Sequence, residues 1–413
     1  MTGTKSLRIV GQWTEKTFTG KEIGMSRNSS TRFAFTGNRS ASNKTPREIN
    51  RNLVFNLIRT HQPVSRADLA RLSGLQRSTV SLIVEILIRE RWIFEGSTGR
   101  LPRGRRPTFL HLNDQRAVVA LDVHTSQTTV AVVDLDGKIV SQNVVALPDN
   151  PGRVVGTIIR EVKKVIAGNG RSFDGIGISV PGRPEPNPEH PIFTPRSNWS
   201  VLSLQTRLQR ATGLRVKMDN VANGCVLSEV WFGDTDGVHD LVVVNVSEGI
   251  GAGIFANGRI LRGKDGMAGE FGHIQIESDG PPCACGGTGC WESYASNRAG
   301  LRYYQEMSGK PALPSFDELL RLALGGDAIA ISSIDKMCLY LGRGLRMIAA
   351  ALAPTEIVVV GEITNAWHLF GPKIEAEMKH NSLPGLPRLR PSMDASAARL
   401  RSAVALVLNE GSI

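Results

Sequence analysis

Between residues 270 and 292 the chain reads Glu270-Phe-Gly-His273, then Cys283-Ala-Cys285-Gly-Gly-Thr-Gly-Cys290-Trp-Glu292. Three thiolates and one imidazole make a closed tetrahedral set for zinc with no position left for water, the form of a structural site. A Cys-x-Cys pair cannot easily close on itself as a disulfide, and the intervening glycines let the backbone wrap tightly. Four of the five cysteines fall between Cys225 and Cys290. In a protein expected to be cytosolic, that crowding reads as metal before disulfide. The bland alternative is three unrelated buried thiols. Cys225 and Cys338 lie in apolar helical sequence and read as core thiols. The expectation is one structural Zn2+ held by His273, Cys283, Cys285 and Cys290.

A second constellation runs from Ser65 to Ser81, Ser-Arg-Ala-Asp-Leu-Ala-Arg-Leu-Ser-Gly-Leu-Gln-Arg-Ser-Thr-Val-Ser. A short helix to Ser73, a Gly74-Leu75 turn and a longer helix to about Arg91 have the grammar of a helix-turn-helix. On the third helix Val80, Ile83, Val84 and Leu87 would face a core. Arg77, Ser78, Thr79, Ser81 and Glu85 are then candidates for the major groove. Gln76 is a weak N-cap there. Trp92-Ile93-Phe94 and Phe109–Leu112 could pair as a wing. Between them lies a basic loop whose Arg103, Arg105 and Arg106 suit phosphates or the minor groove. The bland alternative is a helical interaction domain with a solvated basic face.

The elements around these sites follow from composition and periodicity. Residues 1–112 hold 20 Lys and Arg against 7 Asp and Glu, whereas the remainder holds 29 against 31. A basic end on a near-neutral body points to nucleic acid for that end alone. Residues 1–44 are polar and basic without an apolar period and read as disordered, with Met25 a candidate start. Thr45-Pro46-Arg47-Glu48 is a capping box with Pro at the first helical position. Ile49, Leu53, Val54, Leu57 and Ile58 then recur at helical spacing. From Arg116 short apolar strands take over: Ala117–Val123, Thr128–Asp134 and Lys138–Val145, with a turn at Asp136-Gly137. A similar group returns at Leu241–Val246, Gly253–Phe255 and Arg259–Leu261, with Asn257-Gly258 at the hairpin. The repetition implies two related α/β lobes, 113–235 and 236–413, behind a winged helix-turn-helix at 45–112, with a ligand cleft between the lobes.

Glu-x-Gly-His followed by Cys-x-Cys-Gly-x-x-Gly-Cys-x-Glu resembles the ROK family (repressor, open reading frame, kinase). Further matching pieces are Val180-Pro-Gly182, Asn198-Trp199, Asn220-Val-Ala-Asn223 with Glu229, and Val246-Ser-Glu-Gly-Ile-Gly-Ala-Gly-Ile254. With the helix-turn-helix the likeness spans about residues 45–413 and is to the regulator branch. It implies a two-lobed actin/hexokinase-like (ribonuclease H-like) sugar-kinase fold with a structural zinc loop. It also implies that Asn220, Glu270, His273 and Glu292 contact sugar hydroxyls. The histidine would do so while its other ring nitrogen binds zinc, and ligation then fixes the tautomer and direction of the ring.

A kinase of that family needs a general base, an Asp in an Asn-Asp-x-Asn motif, and Val221 stands in its place. It also needs a bare Asp-x-Gly-Gly-Thr turn at the ATP phosphates. Here the turn reads Asp122-Val123-His124-Thr125-Ser126, and the family's later Gly-Gly reads Gly361-Glu362. The sequence reading is therefore no catalysis: a cytoplasmic DNA-binding regulator, read as repressing, that takes double-stranded operator DNA and a sugar or sugar derivative and assembles as a homodimer or tetramer, with no membrane partner. The alternatives are an active sugar kinase, or a zinc-stabilised DNA-binding protein without effector.

Overall fold

The structure is a computed structural model that describes residues 46–98, 107–182, 202–233, 238 and 240–408. Residues 1–44, Thr45, the Arg103, Arg105 and Arg106 loop and Asn198-Trp199 lie outside the described residues.

Pro46 opens α1 (Pro46–His61). After β1 (Val64–Ser65), Ser65 caps α2 (Arg66–Ser73), its Oγ accepting from Asp68 N while the Asp68 carboxylate accepts from Ser65 N. Gly74, left-handed at φ 61°, ends that helix and turns the chain into α3 (Arg77–Arg89). Gln76 supplies no side-chain cap, as expected of glutamine. β2 (Ile93–Thr98) and β3 (Thr108–Leu112) pair antiparallel, and β1 adds to the far side of β3. Val54, Phe55, Ile58, Leu69, Val80, Ile83, Val84 and Leu87 are buried together. Two details differ from the sequence reading. Packing on α1 is confined to its second half, so Ile49 is 44% exposed and Phe55 takes the core position. The third helix stops at Arg89, because Arg91 turns left-handed at φ 59°.

The first lobe is a five-stranded sheet of β4 (Arg116–Val123), β5 (Gln127–Asp134), β6 (Ile139–Ala146), β7 (Ser172–Val180) and β8 (Val216–Asn220), with α4 (Pro151–Ala167) after β6 and α5 (Leu202–Thr212) after β7. Its order is β6-β5-β4-β7-β8, antiparallel on the β6 side and parallel from β4 to β8. α6 (Val221–Phe232) follows without a break. The second lobe repeats the plan with β9 (Leu241–Val246), β10 (Ile250–Ala256) and β11 (Arg259–Ile260). Then come α7 (Glu292–Ala295), α8 (Asn297–Ser308), α9 (Phe316–Leu324) and α10 (Ala328–Leu352). β12 (Glu356–Val360), α11 (Trp367–Lys379) and β13 (Arg388–Pro391) complete it in the order β11-β10-β9-β12-β13. Both sheets thus have the same topology, and β9 and β12, buried along their whole length, carry near-continuous Val and Ile runs.

The last helix, α12 (Ala395–Leu408), packs on β4, β7 and α6, so the chain's end returns to the first sheet. A division at 235 leaves this helix with the second lobe, whereas it packs chiefly on elements of the first and touches the second through Ala398 and Arg399. Glycines allow that approach: a Cβ on Gly177 of β7 would stand 2.4 Å from Ala403 Cα.

Candidate functional site

A cleft opens where the first turn of α6 faces the β9–β10 turn and the 3-10 turn Glu270–His273. Asn220, Glu270, His273 and Glu292 all line it, although they come from both lobes. Asn220 is held twice: its Oδ1 accepts from Ala222 N at 2.7 Å as the cap of α6, and its Nδ2 donates to Gly182 O at 2.6 Å. Val221 lines the same wall. The neighbouring carboxylate, Asp219, is buried and paired with Arg262 at 2.6 Å. It also accepts from Asn220 N and Asn223 Nδ2, so it is turned away from a base's work at the cleft. Glu292 is 8% exposed, and its Oε2 accepts from Ile250 N.

Backbone geometry sets the opposite wall. Gly269, at φ 93°, places the Glu270–His273 turn so close to β10 that a Cβ there would stand 1.8 Å from Ala252 O. Ala252 N donates to Gly269 O across the same junction. His273 Nδ1 faces Cys283 Sγ at 3.5 Å, while Nε2 lies 3.7 Å from Glu270 Oε2 on the cleft side. Cys285 and Cys290 sulfurs are 3.7 Å apart, and one ligand atom from each of His273, Cys283, Cys285 and Cys290 lies within 4.8 Å of the others. A tetrahedron with metal–sulfur bonds of about 2.3 Å has sulfur–sulfur edges of about 3.8 Å. The donor set and its spacing fit one metal ion. Cys225 and Cys338 stay apart from it in the core, and burial pushes the Cys225 thiol up to about 12.

His124, Thr125 and Glu248 line one end of the cleft. His124 Nε2 lies 3.0 Å from Asp122 Oδ2. Burial alone would raise the Asp122 carboxyl, but His124 and Arg399 outweigh it and hold it below the ordinary range. Burial likewise opposes charge on His124, yet Asp122 dominates and the ring's pKa is raised. Arg399 of α12 reaches Glu362 at 3.4 Å, and Asn297 Nδ2 donates to the other Glu362 oxygen at 2.7 Å. Thr125 Oγ1 donates to Glu248 at 3.3 Å from across the cleft. Sequence reasoning passed over Glu248, although a carboxylate inside Ser247-Glu248-Gly249 was a readable signal. Arg399, 277 residues from Asp122 along the chain, was not readable.

Among the candidate DNA contacts, Arg77 and Ser78 are exposed at the start of α3, and Thr79 and Ser81 are half-buried. Glu85 is exposed and 3.5 Å from Arg66 of α2.

Comparison with known proteins places these features. The ROK family model matches residues 118–405, both lobes and the cleft between them. The xylose repressor of Bacillus spizizenii is 31% identical over 345 residues, 82% of this chain and 89% of that protein. A glucokinase of Streptomyces coelicolor is 30% identical over 307 residues, 70% of this chain and 95% of the enzyme. Among solved structures, a ROK family transcriptional regulator, a homologue of the Escherichia coli MLC protein, covers 89% of this chain with a TM-score of 0.72 at 27% identity. Nearly the whole glucokinase is matched by 70% of this chain, and the three-helix unit at 46–112 lies before the family match.

Proposed function

This chain belongs to the ROK family, and we propose that it is a sugar-responsive transcriptional repressor whose 46–112 unit is a winged helix-turn-helix that reads operator DNA. The observation that carries this reading is α6. Its first turn, with Asn220 and Val221, lines the cleft, and its last turn receives the DNA-reading unit. There Arg59 of α1 stacks over the Trp231 ring at 4.4 Å and donates to Trp231 O. One helix therefore joins the two sites.

The cleft suits a polyol: Glu270 and Glu292 offer acceptors, and the Asn220 amide offers both kinds of partner. The repressor relatives named for xylose make D-xylose the first effector to test. His273, Cys283, Cys285 and Cys290 would hold one structural Zn2+, whose charge stabilises the thiolates and fixes the imidazole. With that ring fixed, Nε2 is the nitrogen left for a sugar hydroxyl.

Phosphoryl transfer is disfavoured on two grounds. Val221 cannot take a proton from the attacking hydroxyl. Side chains at His124 and Thr125, where a family kinase has the two glycines of its phosphate turn, crowd the backbone's approach to a triphosphate. The test uses full-length protein, a duplex selected from random sequence, and fluorescence anisotropy with and without a panel led by D-xylose. One sugar should weaken operator binding, and Asn220→Ala should keep DNA affinity but lose the response. Sugar-dependent ADP release by the unmodified protein would overturn the repressor assignment in favour of a kinase.

A further inference from the structure

The outward face of α3 carries a residue that hydrogen-bond readout leaves unexplained. Val80, Ile83, Val84, Ile86 and Leu87 are buried. At 3.6 residues per turn the opposite stripe runs through Ser78, Leu82 and Glu85, with Ser81 at its edge. Leu82 is 53% exposed, while every other aliphatic residue of this helix is buried or half-buried. Glu85 is drawn sideways to Arg66, which also holds Glu95 of the β2 strand at 3.0 Å. Beside Glu85 and the exposed Arg89 at the helix end, the stripe presents two short hydroxyls and one branched apolar side chain.

A hydroxyl both donates and accepts, so Ser78 and Ser81 discriminate weakly among base edges. Leucine discriminates strongly, in one direction only. Among the features that distinguish base edges in the major groove, the C5-methyl of thymine is the apolar one, larger than the C5–H that cytosine shows at the same position. Against any other base, Leu82 would strip water from a polar edge and return nothing. Against thymine it removes both its own surface and the methyl from water. Its position four residues after Ser78 keeps it on the same groove-facing side as the amino-terminal readers.

We propose that Leu82 is a specificity-determining residue that reads a thymine C5-methyl in each operator half-site. This rests on the DNA-reading role of α3 argued above. The test keeps the full chain and replaces the thymines of a selected duplex by deoxyuridine, one at a time, which deletes the methyl and nothing else. One thymine per half-site should weaken binding about fourfold on replacement, the value of burying one methyl group. Replacing both should cost about fifteenfold, if the half-sites act independently. Leu82→Ala should bind thymine and uracil duplexes equally, and Leu82→Met should restore part of the preference. The substitution is at the surface, so an unchanged circular dichroism spectrum and melting temperature are expected. Two results overturn the assignment: indifference to deoxyuridine at every position, or an undiminished penalty in Leu82→Ala. Failure to select any duplex would instead remove the DNA-reading role of α3, and Leu82's role with it.

Discussion

Gly269→Ala is the sharpest probe of how the backbone builds the site. The residue sits at φ 93°, and an added Cβ would lie 1.8 Å from Ala252 O. A left-handed backbone costs a side-chain-bearing residue about 1–2 kcal/mol, and overpacking adds about 1–3 kcal/mol. The local strain of about 2–5 kcal/mol exceeds the roughly 1 kcal/mol net value of the Ala252 N to Gly269 O hydrogen bond that stitches the turn to β10. Strand β10 is anchored by Ile254 and Phe255 in the core, so the turn moves and the strand stays. Restoring an ordinary C···O separation of about 3.3 Å requires a shift of about 1.5 Å. Metal–ligand distances tolerate about 0.2 Å, so His273 leaves the ligand set. Metal affinity should fall at least about tenfold, and binding of whichever sugar the parent protein takes should be lost with it, read by calorimetry. Operator binding in the absence of sugar should persist, because α1–α3 pack elsewhere. Gly258→Ala is the control: it has φ 76° but nothing within 4 Å of the added Cβ, so strain acts there without collision. If Gly269→Ala retains stoichiometric metal and the parent's sugar affinity, the reasoning from backbone to ligand set is wrong.

Protein purified without chelator should carry one zinc per chain, and Cys285→Ser should lower zinc content, melting temperature and sugar binding together, read by metal analysis, scanning calorimetry and titration. Replacing Arg105 and Arg106 by Ala should weaken operator binding and flatten its salt dependence, since each phosphate that an arginine neutralises contributes about one unit of slope in a log–log plot. His124 has a folded-state pKa raised above its ordinary 6.5. Its protonated pair with Asp122 therefore stabilises fully below about pH 6.5 and fades as pH rises through the raised value. His124→Ala should flatten that decline in a pH series of denaturant melts, and an unchanged slope would count against the pair.

Much of the architecture was legible because it rests on local rules. Ser65 with Asp68, Gly74, and the Asp136-Gly137 and Asn257-Gly258 turns each announced an element, and the structure puts elements there. The metal cluster was legible because three of its four residues lie within eight positions. Non-local pairing was not. Nothing in the sequence of α12 says that it returns to the first sheet or that Arg399 reaches Asp122 and Glu362. Strand β1 is two residues long, too short to show an alternation. Ile49 fitted the helical period but lies beyond the reach of α2 and α3, because periodicity reports a face and not how far along the helix that face is covered.

The packing decides which parts can move when a ligand binds. The 46–112 unit, the reader in the proposed function, and the first lobe share one apolar core, in which Trp92 and Ile93 join Leu227, Trp231 and Val404. Arg116 locks the seam, lying 3.6 Å over the Trp92 ring and pairing with Asp174. Gln62 adds a hydrogen bond to Asp136 at 2.9 Å. Each large side chain exposed by parting this seam would cost about 1.5–3 kcal/mol, whereas an effector typically supplies about 1–3 kcal/mol of coupling in all. A sugar therefore cannot swing the reader away from the first lobe. The second lobe is joined differently. It meets α6 and α12 through Cys225, Val226 and Ala398 against Leu241, Val243, Phe255 and Val358, and through the buried Glu229 of α6, which pairs with Arg390 at 3.0 Å and accepts from Ser392 at 2.7 Å. Across the open side of the cleft it is held by polar pairs such as Thr125 with Glu248, interactions of a kind worth about 1 kcal/mol or less when solvated. A sugar that binds residues of both lobes would act across this junction, and the 46–112 unit and the first lobe are expected to move as one body.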